Sequence, residues 1–200
     1  MTLIGICGGT GSGKSTLANK IESHFKSIGV VKILSDSYYK NNYTLNFKDR
    51  SKINYDHPNS IDFELLIDNL KSLKNNKKIN EPIYSYKTHK RLKKSKLIFS
   101  KKIIIVEGLH ILCDKRIINL IDYSIYLDVS EETRLQRRIR RDVEFRGRSI
   151  NEVEQRYFYM CKPMHDKFIN PSKKHADVIL KSRSVSLKSI LNLISKKIKC

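Results

Sequence analysis

Short apolar runs alternate along the chain with stretches in which apolar residues recur every three or four positions. Residues 3–7, 30–34, 103–106, 124–129 and 177–180 are apolar at both alternating positions, as strands covered on both faces are. Helical spacing runs over 15–25, where Leu17, Ile21 and Phe25 lie four apart. It returns over 63–73, 131–146, 151–162 and 187–198. Strand and helix in turn predict an α/β fold, a central parallel sheet flanked by helices. Between the second and third runs, 81–86 and 96–99 are spaced to pair as a β-hairpin projecting from that sheet, over about 81–100. No internal repeat or low-complexity linker interrupts the pattern, so one domain over 1–200 is expected.

Composition changes this picture little. The 200 residues are 40% hydrophobic and 30% charged, as in a water-soluble globular chain long enough to bury a core. No apolar run reaches the ~20 residues that a spanning helix needs. Met1 leads straight into Leu3-Ile4-Gly5-Ile6-Cys7 with no basic segment and no cleavage site, so a cytoplasmic location is expected. Cys7, Cys113, Cys161 and Cys200 form no CxxC pair and read as reduced thiols rather than zinc ligands. The net charge of +20 comes mostly from lysines over 71–78, 87–102 and 196–199. Such charge attracts nucleic acid without sequence preference. Aromatic residues interleave it only near Tyr84 and Tyr86, which favours a solvated surface over a specific nucleic-acid site.

Candidate chemistry enters with Gly8-Gly9-Thr10-Gly11-Ser12-Gly13-Lys14-Ser15, followed by Thr16. The segment fits GxxxxGK[ST] at every fixed position and joins a predicted strand to a predicted helix, as that motif requires. A chance match arises in about one chain in a hundred of this length. Glycines let backbone N–H groups turn inward around phosphate oxygens, and the helix N-terminus adds unpaired donors. Lys14 would meet the β- and γ-phosphates of ATP or GTP, and the Ser15 hydroxyl would ligate Mg²⁺. Glu107, at the end of the third strand, is placed to organise the same Mg²⁺ directly or through water. Asp36 lies just past the second strand, on the sheet edge where ligands of open α/β sheets bind, and could take a proton from an acceptor hydroxyl. Seven arginines crowd 131–148, and the segment reads as a phosphate-closing lid; Arg134 and Arg138, four apart, would repel in the absence of an anion.

Further segments make the sequence recognisable. Ser35-Asp36-Ser37-Tyr38-Tyr39-Lys40, Asn54-Tyr55-Asp56-His57-Pro58 and Pro82-Ile83-Tyr84-Ser85-Tyr86 with His89 come first. Ile105-Val106-Glu107-Gly108, Arg140-Arg141-Asp142 and Arg146-Gly147-Arg148 follow, then Lys162-Pro163-Met164-His165 and Asn170-Pro171-Ser172-Lys173. In this order, up to about residue 180, they resemble the uridine kinase (uridine/cytidine kinase) family. The resemblance implies transfer of a phosphoryl group from ATP or GTP to the 5′-hydroxyl of uridine or cytidine, in pyrimidine salvage, by a P-loop enzyme. It makes Asp36 the catalytic base, with Lys14 and Arg141 at the reacting phosphate. It places Asp56 on the ribose hydroxyls, and Tyr84 and His89 on the pyrimidine. Arg138 falls near the acceptor, Arg141 and Arg146 near the donor phosphates, and Arg148 toward the nucleoside. A homotetramer is also implied.

One departure stands out. The family usually has glutamine immediately before the tyrosine matching Tyr157, near the nucleoside. Here that position is Arg156, with Gln155 one residue earlier and turned by about 100° on a helix. The choice between uridine and cytidine turns on this position. Phosphoribulokinase and pantothenate kinase share the P-loop architecture, but Tyr84 and His89 in a hairpin, followed by Arg146-Gly147-Arg148, favour a nucleoside as acceptor. A nucleic-acid-dependent NTPase would draw on the net charge, and a GTP switch would need an NKxD motif that the sequence lacks.

Overall fold

The computed structural model describes residues 1–181 and 187–198. Strand β1 (Thr2–Gly8) leads through the glycine-rich loop into helix α1 (Lys14–His24), and β2 (Val30–Leu34) follows. A 3₁₀ turn over Ser35–Tyr38, α2 (Phe47–Lys52) and α3 (Phe63–Lys74) lead to the hairpin strands β3 (Ile79–Ser85) and β4 (Lys90–Ile98). The chain returns to the sheet as β5 (Ile103–Gly108), then α4 (Lys115–Ile118), β6 (Tyr123–Asp128), α5 (Glu131–Arg146) and α6 (Ile150–Arg156). Two short helices, α7 (Lys162–Met164) and α8 (Asn170–Ser172), alternate with π-helical turns before β7 (Val178–Lys181) and α9 (Leu187–Ile198).

The five-stranded sheet has the order β2-β5-β1-β6-β7, and every pairing in it is parallel. Because β1 has β5 on one side and β6 on the other, the strand order reverses at its C-terminal end. Such a switch point leaves a crevice that ligands use. Side chains alternate as a two-faced sheet requires. Leu3, Cys7, Ile104 and Val106 join the core with Leu66, Ile67, Leu70 and Leu73 of α3. Ile4, Ile6, Ile103 and Ile105 join Leu17, Ala18 and Ile21 of α1 with Ile190, Leu191 and Ile194 of α9. Each fully buried side chain of this size contributes about 1.5–3 kcal/mol relative to exposure, so both helical layers are firmly bound.

The predicted strands and long helices all occur, with boundaries moved by a residue or two. Both hairpin strands begin earlier than expected, β3 at Ile79 and β4 at Lys90 rather than near residue 96, and the pair carries a bulge between Pro82 and Tyr84. Proline has no N–H for the ladder, which accounts for the break. The expected helix over 151–162 ends as an α-helix at Arg156 and continues as a π-turn over Tyr157–Cys161; a second π-turn covers His165–Ile169. Pro163 and Pro171 lie two residues beyond these turns, where each ring crowds the carbonyl four residues back and forces the wider winding. Cys7, Cys113 and Cys161 are free thiols; Cys200 lies outside the described residues. Among the described residues no helix is long and apolar enough to cross a membrane.

Candidate active site

A cleft partly open to solvent lies over the C-terminal ends of β1, β2 and β5. It brings together Thr10, Gly11, Lys14, Ser15, Asp36, Asp56, Tyr84, His89, Glu107, Arg138, Arg141, Arg146, Arg148 and Arg156. Of the sequence-predicted residues, Gly8, Gly9, Ser12, Gly13 and Thr16 do not line it. Ser12, Gly13 and Thr16 face a neighbouring hollow with Lys20, Arg137 and Leu180.

The loop geometry depends on glycine. Gly11 has φ +74°, and a Cβ there would lie 2.3 Å from the Arg134 carbonyl oxygen of α5. The lid helix therefore abuts the loop, and no larger residue fits between them. Lys14 donates to the Gly8 and Gly9 carbonyls, at 3.0 Å each. Burial pushes its ammonium down from the usual lysine range, while Glu107 and Asp36 hold it up and Arg141 pushes it down further. Glu107 is raised from the usual carboxylate range by burial, against Lys14 and the Ser15 hydroxyl. No group of three or more His, Cys, Asp or Glu side chains able to hold a metal occurs among the described residues. Ser15 and Glu107 offer one hydroxyl and one carboxylate, a sparse set that suits Mg²⁺, a cation that completes its shell with water and phosphate.

Asp36 is carried into the cleft by the 3₁₀ turn after β2. That turn comes close to β5 because Gly108 has no side chain; a Cβ at Gly108 would lie 1.8 Å from Ser35 Oγ. On β4, Arg91 donates to the Tyr38 carbonyl at 2.8 Å and to Asp62 at 3.1 Å, tying the hairpin to the same turn. Asp36 Oδ2 accepts a hydrogen bond from the Tyr86 hydroxyl at 3.0 Å. The Tyr86 phenol is held above its usual range by burial first and by the Asp36 charge second, so it remains the donor. Arg146 lies over the Tyr86 ring at 4.4 Å.

Asp56 is approached from three elements. The Cys161 thiol donates to its Oδ2 at 3.1 Å, and Arg138 Nη1 lies 3.7 Å from Oδ1. His110 Nε2 donates to its backbone carbonyl at 2.8 Å. Burial pushes the His110 imidazole down to about 4, so the ring is neutral at physiological pH and its proton sits on Nε2. Beyond Asp56 lies an aromatic wall. Tyr39, Tyr55 and Tyr84 meet edge to face at 5.0–6.0 Å, and Tyr55 stacks on His89 at 5.3 Å and 12°. His89 occupies the hairpin turn at φ +51°. Its ring is kept neutral by burial and by Arg148, Arg156, Arg50 and Arg146. Arg156 donates to the Ser51 carbonyl at 3.1 Å, and Arg148 pairs with Glu152 at 3.4 Å.

The arginine stretch is ordered by a residue that sequence reasoning passed over. Asp142, 1% exposed, lies 2.8 Å from Arg141, 3.3 Å from Arg146 and 3.5 Å from Arg138. It sits four residues after Arg138 and four before Arg146, a spacing that was visible in the sequence. Arg138 also donates to Thr10 Oγ1 at 3.0 Å, and Arg134 to the Val129 carbonyl at 3.1 Å. Arg138 thus has Asp56 and Asp142 as counter-charges, while Arg134 has the Val129 carbonyl. Tyr39, Tyr55, Tyr86, Cys161 and His110 are the other residues of the site given no role from sequence. Tyr39, Tyr55 and Tyr86 stood inside the quoted motifs; Cys161 and His110 gave no signal.

The chain has relatives of known family. The model of the phosphoribulokinase / uridine kinase family matches residues 3–189. A uridine kinase of Clostridium novyi (strain NT) is 48% identical over 97% of this chain and 93% of the relative. One of Macrococcus caseolyticus (strain JCSC5402) is 45% identical over 90% and 87%. Among solved structures, a putative fructose transport system kinase from Silicibacter sp. TM1040 superposes with TM-score 0.72 at 19% identity, over 90% of this chain and 89% of that one. A phosphoribulokinase from Rhodobacter spheroides does so with TM-score 0.66 at 15% identity, over 90% and 69%. Those structures share the fold; the family match and the sequence relatives span nearly the whole chain, and they make it a member of the phosphoribulokinase / uridine kinase family.

Proposed function

We propose that the protein is a uridine kinase that transfers the γ-phosphoryl group of ATP or GTP to the 5′-hydroxyl of uridine, and of cytidine, yielding UMP and CMP. The observation that carries this reading is that Asp36 and Asp56 share one cleft with Lys14, Tyr39, Tyr55, Tyr84 and His89. That set suits a nucleoside, whose hydroxymethyl group would meet Asp36, whose ribose hydroxyls would meet Asp56 and whose base would meet the aromatic rings.

In the proposed step the 5′-oxygen forms a bond to the γ-phosphorus as the bond to the β,γ-bridging oxygen breaks. The hydroxyl proton passes to Asp36 and the nucleoside diphosphate departs. Lys14, Arg141 and Arg146 meet the charge that spreads over the phosphoryl oxygens. Arg138 links the Thr10 hydroxyl of the loop to Asp56, so the two substrates are set in one frame. Mg²⁺, held by Ser15 and Glu107 with phosphate oxygens, would neutralise phosphate charge. Asp56 can accept from both ribose hydroxyls, and a sugar lacking one leaves it partly unpaired; such sites reject the deoxy analogue by up to about 10⁴-fold.

A coupled assay of ADP formation tests the reading with uridine, cytidine, their 2′-deoxy forms and adenosine. Turnover on uridine with weak use of deoxyuridine is expected. No turnover on either ribonucleoside sinks the proposal. Asp36→Asn should lower turnover by about 10²- to 10⁴-fold while triphosphate binding persists.

A further inference from the structure

The Tyr86–Asp36 hydrogen bond lies outside the reaction as written, and it fills a place that the reaction must use. The phenol donates to Asp36 Oδ2 at 3.0 Å, where an acceptor hydroxyl would donate. Two neighbours hold the ring there. The Arg146 guanidinium lies 4.4 Å from its centroid, and Tyr84 meets it edge to face at 5.5 Å. Both neighbours line the same cleft as Asp36, Lys14 and Tyr86 itself.

A kinase whose base stands open to solvent faces a competing acceptor. Water is present at about 55 M, a nucleoside far below that, and both offer an O–H to the same carboxylate. Rejection of water calls for a group that occupies the base until the proper acceptor displaces it. We propose that Tyr86 is that group, a specificity residue that caps Asp36 against water and yields to the nucleoside hydroxyl.

A phenol suits the task on three counts. It donates one hydrogen bond, as the substrate hydroxyl does, so the exchange keeps a donor on Oδ2 throughout. The residue is 41% exposed, and a phenol beside a carboxylate stays protonated at neutral pH, so it does not compete as a base. It is anchored to the hairpin, whose turn carries His89 of the aromatic wall, so a nucleoside seated at that wall reaches the same element.

In the reaction that the cap suppresses, a water oxygen forms a bond to the γ-phosphorus and the bond to the β,γ-bridging oxygen breaks. One water proton passes to Asp36, and ADP and inorganic phosphate leave. Nothing beyond ATP and water is consumed.

The inference rests on Asp36 as the base of the proposed kinase, and its test is separable from that of the acceptor. ADP formation from ATP is measured without any nucleoside, per triphosphate-binding site counted by titration with a fluorescent ATP analogue. Counting sites removes any loss of folded protein from the comparison. Tyr86→Phe keeps the ring, its contact with Tyr84 and its face toward Arg146, and removes only the donor. The expected result is a rise of about tenfold in uridine-independent hydrolysis, the scale of one hydrogen bond to a charged group. Adding Asp36→Asn to Tyr86→Phe should abolish the rise. An unchanged rate in Tyr86→Phe, or a rise that persists in the double variant, overturns the proposal. Failure of the unmodified chain to phosphorylate any nucleoside would instead refute the acceptor assignment, and the hydrolysis comparison would still read the cap.

Discussion

Asp142 offers the sharpest test of how the arginine cluster is held. Its carboxylate is 1% exposed and is the counter-charge shared by Arg138, Arg141 and Arg146. Asp142→Asn preserves the shape and removes the charge. Breaking a buried ion pair from one side costs about 3–5 kcal/mol. Arg141 and Arg146 have side chains 38% and 27% exposed, so water screens part of the imbalance and about 2–3 kcal/mol remains. At about 2–4 °C per kcal/mol for a domain of this size, the melting temperature should fall by about 5–10 °C. Burial alone would raise the Asp142 carboxyl, but the hydrogen bond from Arg141 and the three guanidinium charges hold it below the usual range. An acid so depressed stabilises the fold fully above its unfolded value, near 4, and loses that contribution as pH falls through the folded value. The difference between Asp142→Asn and the parent chain is therefore complete at neutral pH and shrinks in strong acid.

The same variant makes a second demand. With its internal counter-charge gone, the cluster should draw more stabilisation from an external anion, since ligand that binds only the folded state raises its stability by mass action. Differential scanning fluorimetry at pH 7.5, with and without saturating ATP, reads both effects. A melting temperature within about 2 °C of the parent, or equal stabilisation of both proteins by ATP, would refute the assignment of Asp142 as the organising charge.

Three further outcomes follow from the geometry. Gly11→Ala places a Cβ 2.3 Å from the Arg134 carbonyl at a φ of +74°, so triphosphate binding measured by fluorescence titration should drop at least tenfold. The His110 imidazole titrates near 6.5 when unfolded and at about 4 when folded. Its neutral form is the folded one, so stability is full above pH 6.5 and falls by about 3 kcal/mol as pH drops toward 4. His110→Gln, which can still donate to the Asp56 carbonyl, should flatten the urea midpoints between pH 6.5 and 4.5. Arg156→Gln exchanges a group that can only donate for one that donates and accepts, and should shift the ratio of kcat/KM for uridine over cytidine by more than threefold; an unchanged ratio removes Arg156 from base selection.

The parts of this fold that were legible in the sequence are those with length and period. Five strands apolar on both alternations and four helices of eleven residues or more declared themselves because burying a face repeats a pattern many times. The six residues of α2 and the four of α4 span too few turns to show a period, and contacts from elsewhere decide them. Site residues divide in the same way. Gly8 to Ser15 are legible because their chemistry constrains neighbouring positions. Asp36 is legible because it lies just past the end of a strand. Cys161 reaches Asp56 across 105 residues of sequence, through a π-turn that a downstream proline imposes, and no local pattern announces that. Asp142 lay between the two: its i±4 spacing was visible, but acid among seven arginines reads equally well as an exposed ion pair.

Several groups assigned to the proposed chemistry are bonded to partners that resemble the substrate groups they would meet. Lys14 spends its donors on the Gly8 and Gly9 carbonyls where phosphate oxygens would sit. Asp56 accepts from a thiol where a ribose hydroxyl would donate, and Asp36 accepts from a phenol where the 5′-hydroxyl would. The arginines share one carboxylate where phosphates would spread their charge. Substrate binding then becomes an exchange of like for like, and little of its free energy goes to stripping water from bare charges. That free energy remains for the transition state, where a phosphoryl group more charged than any of the stand-ins passes between two oxygens that the same residues hold in place.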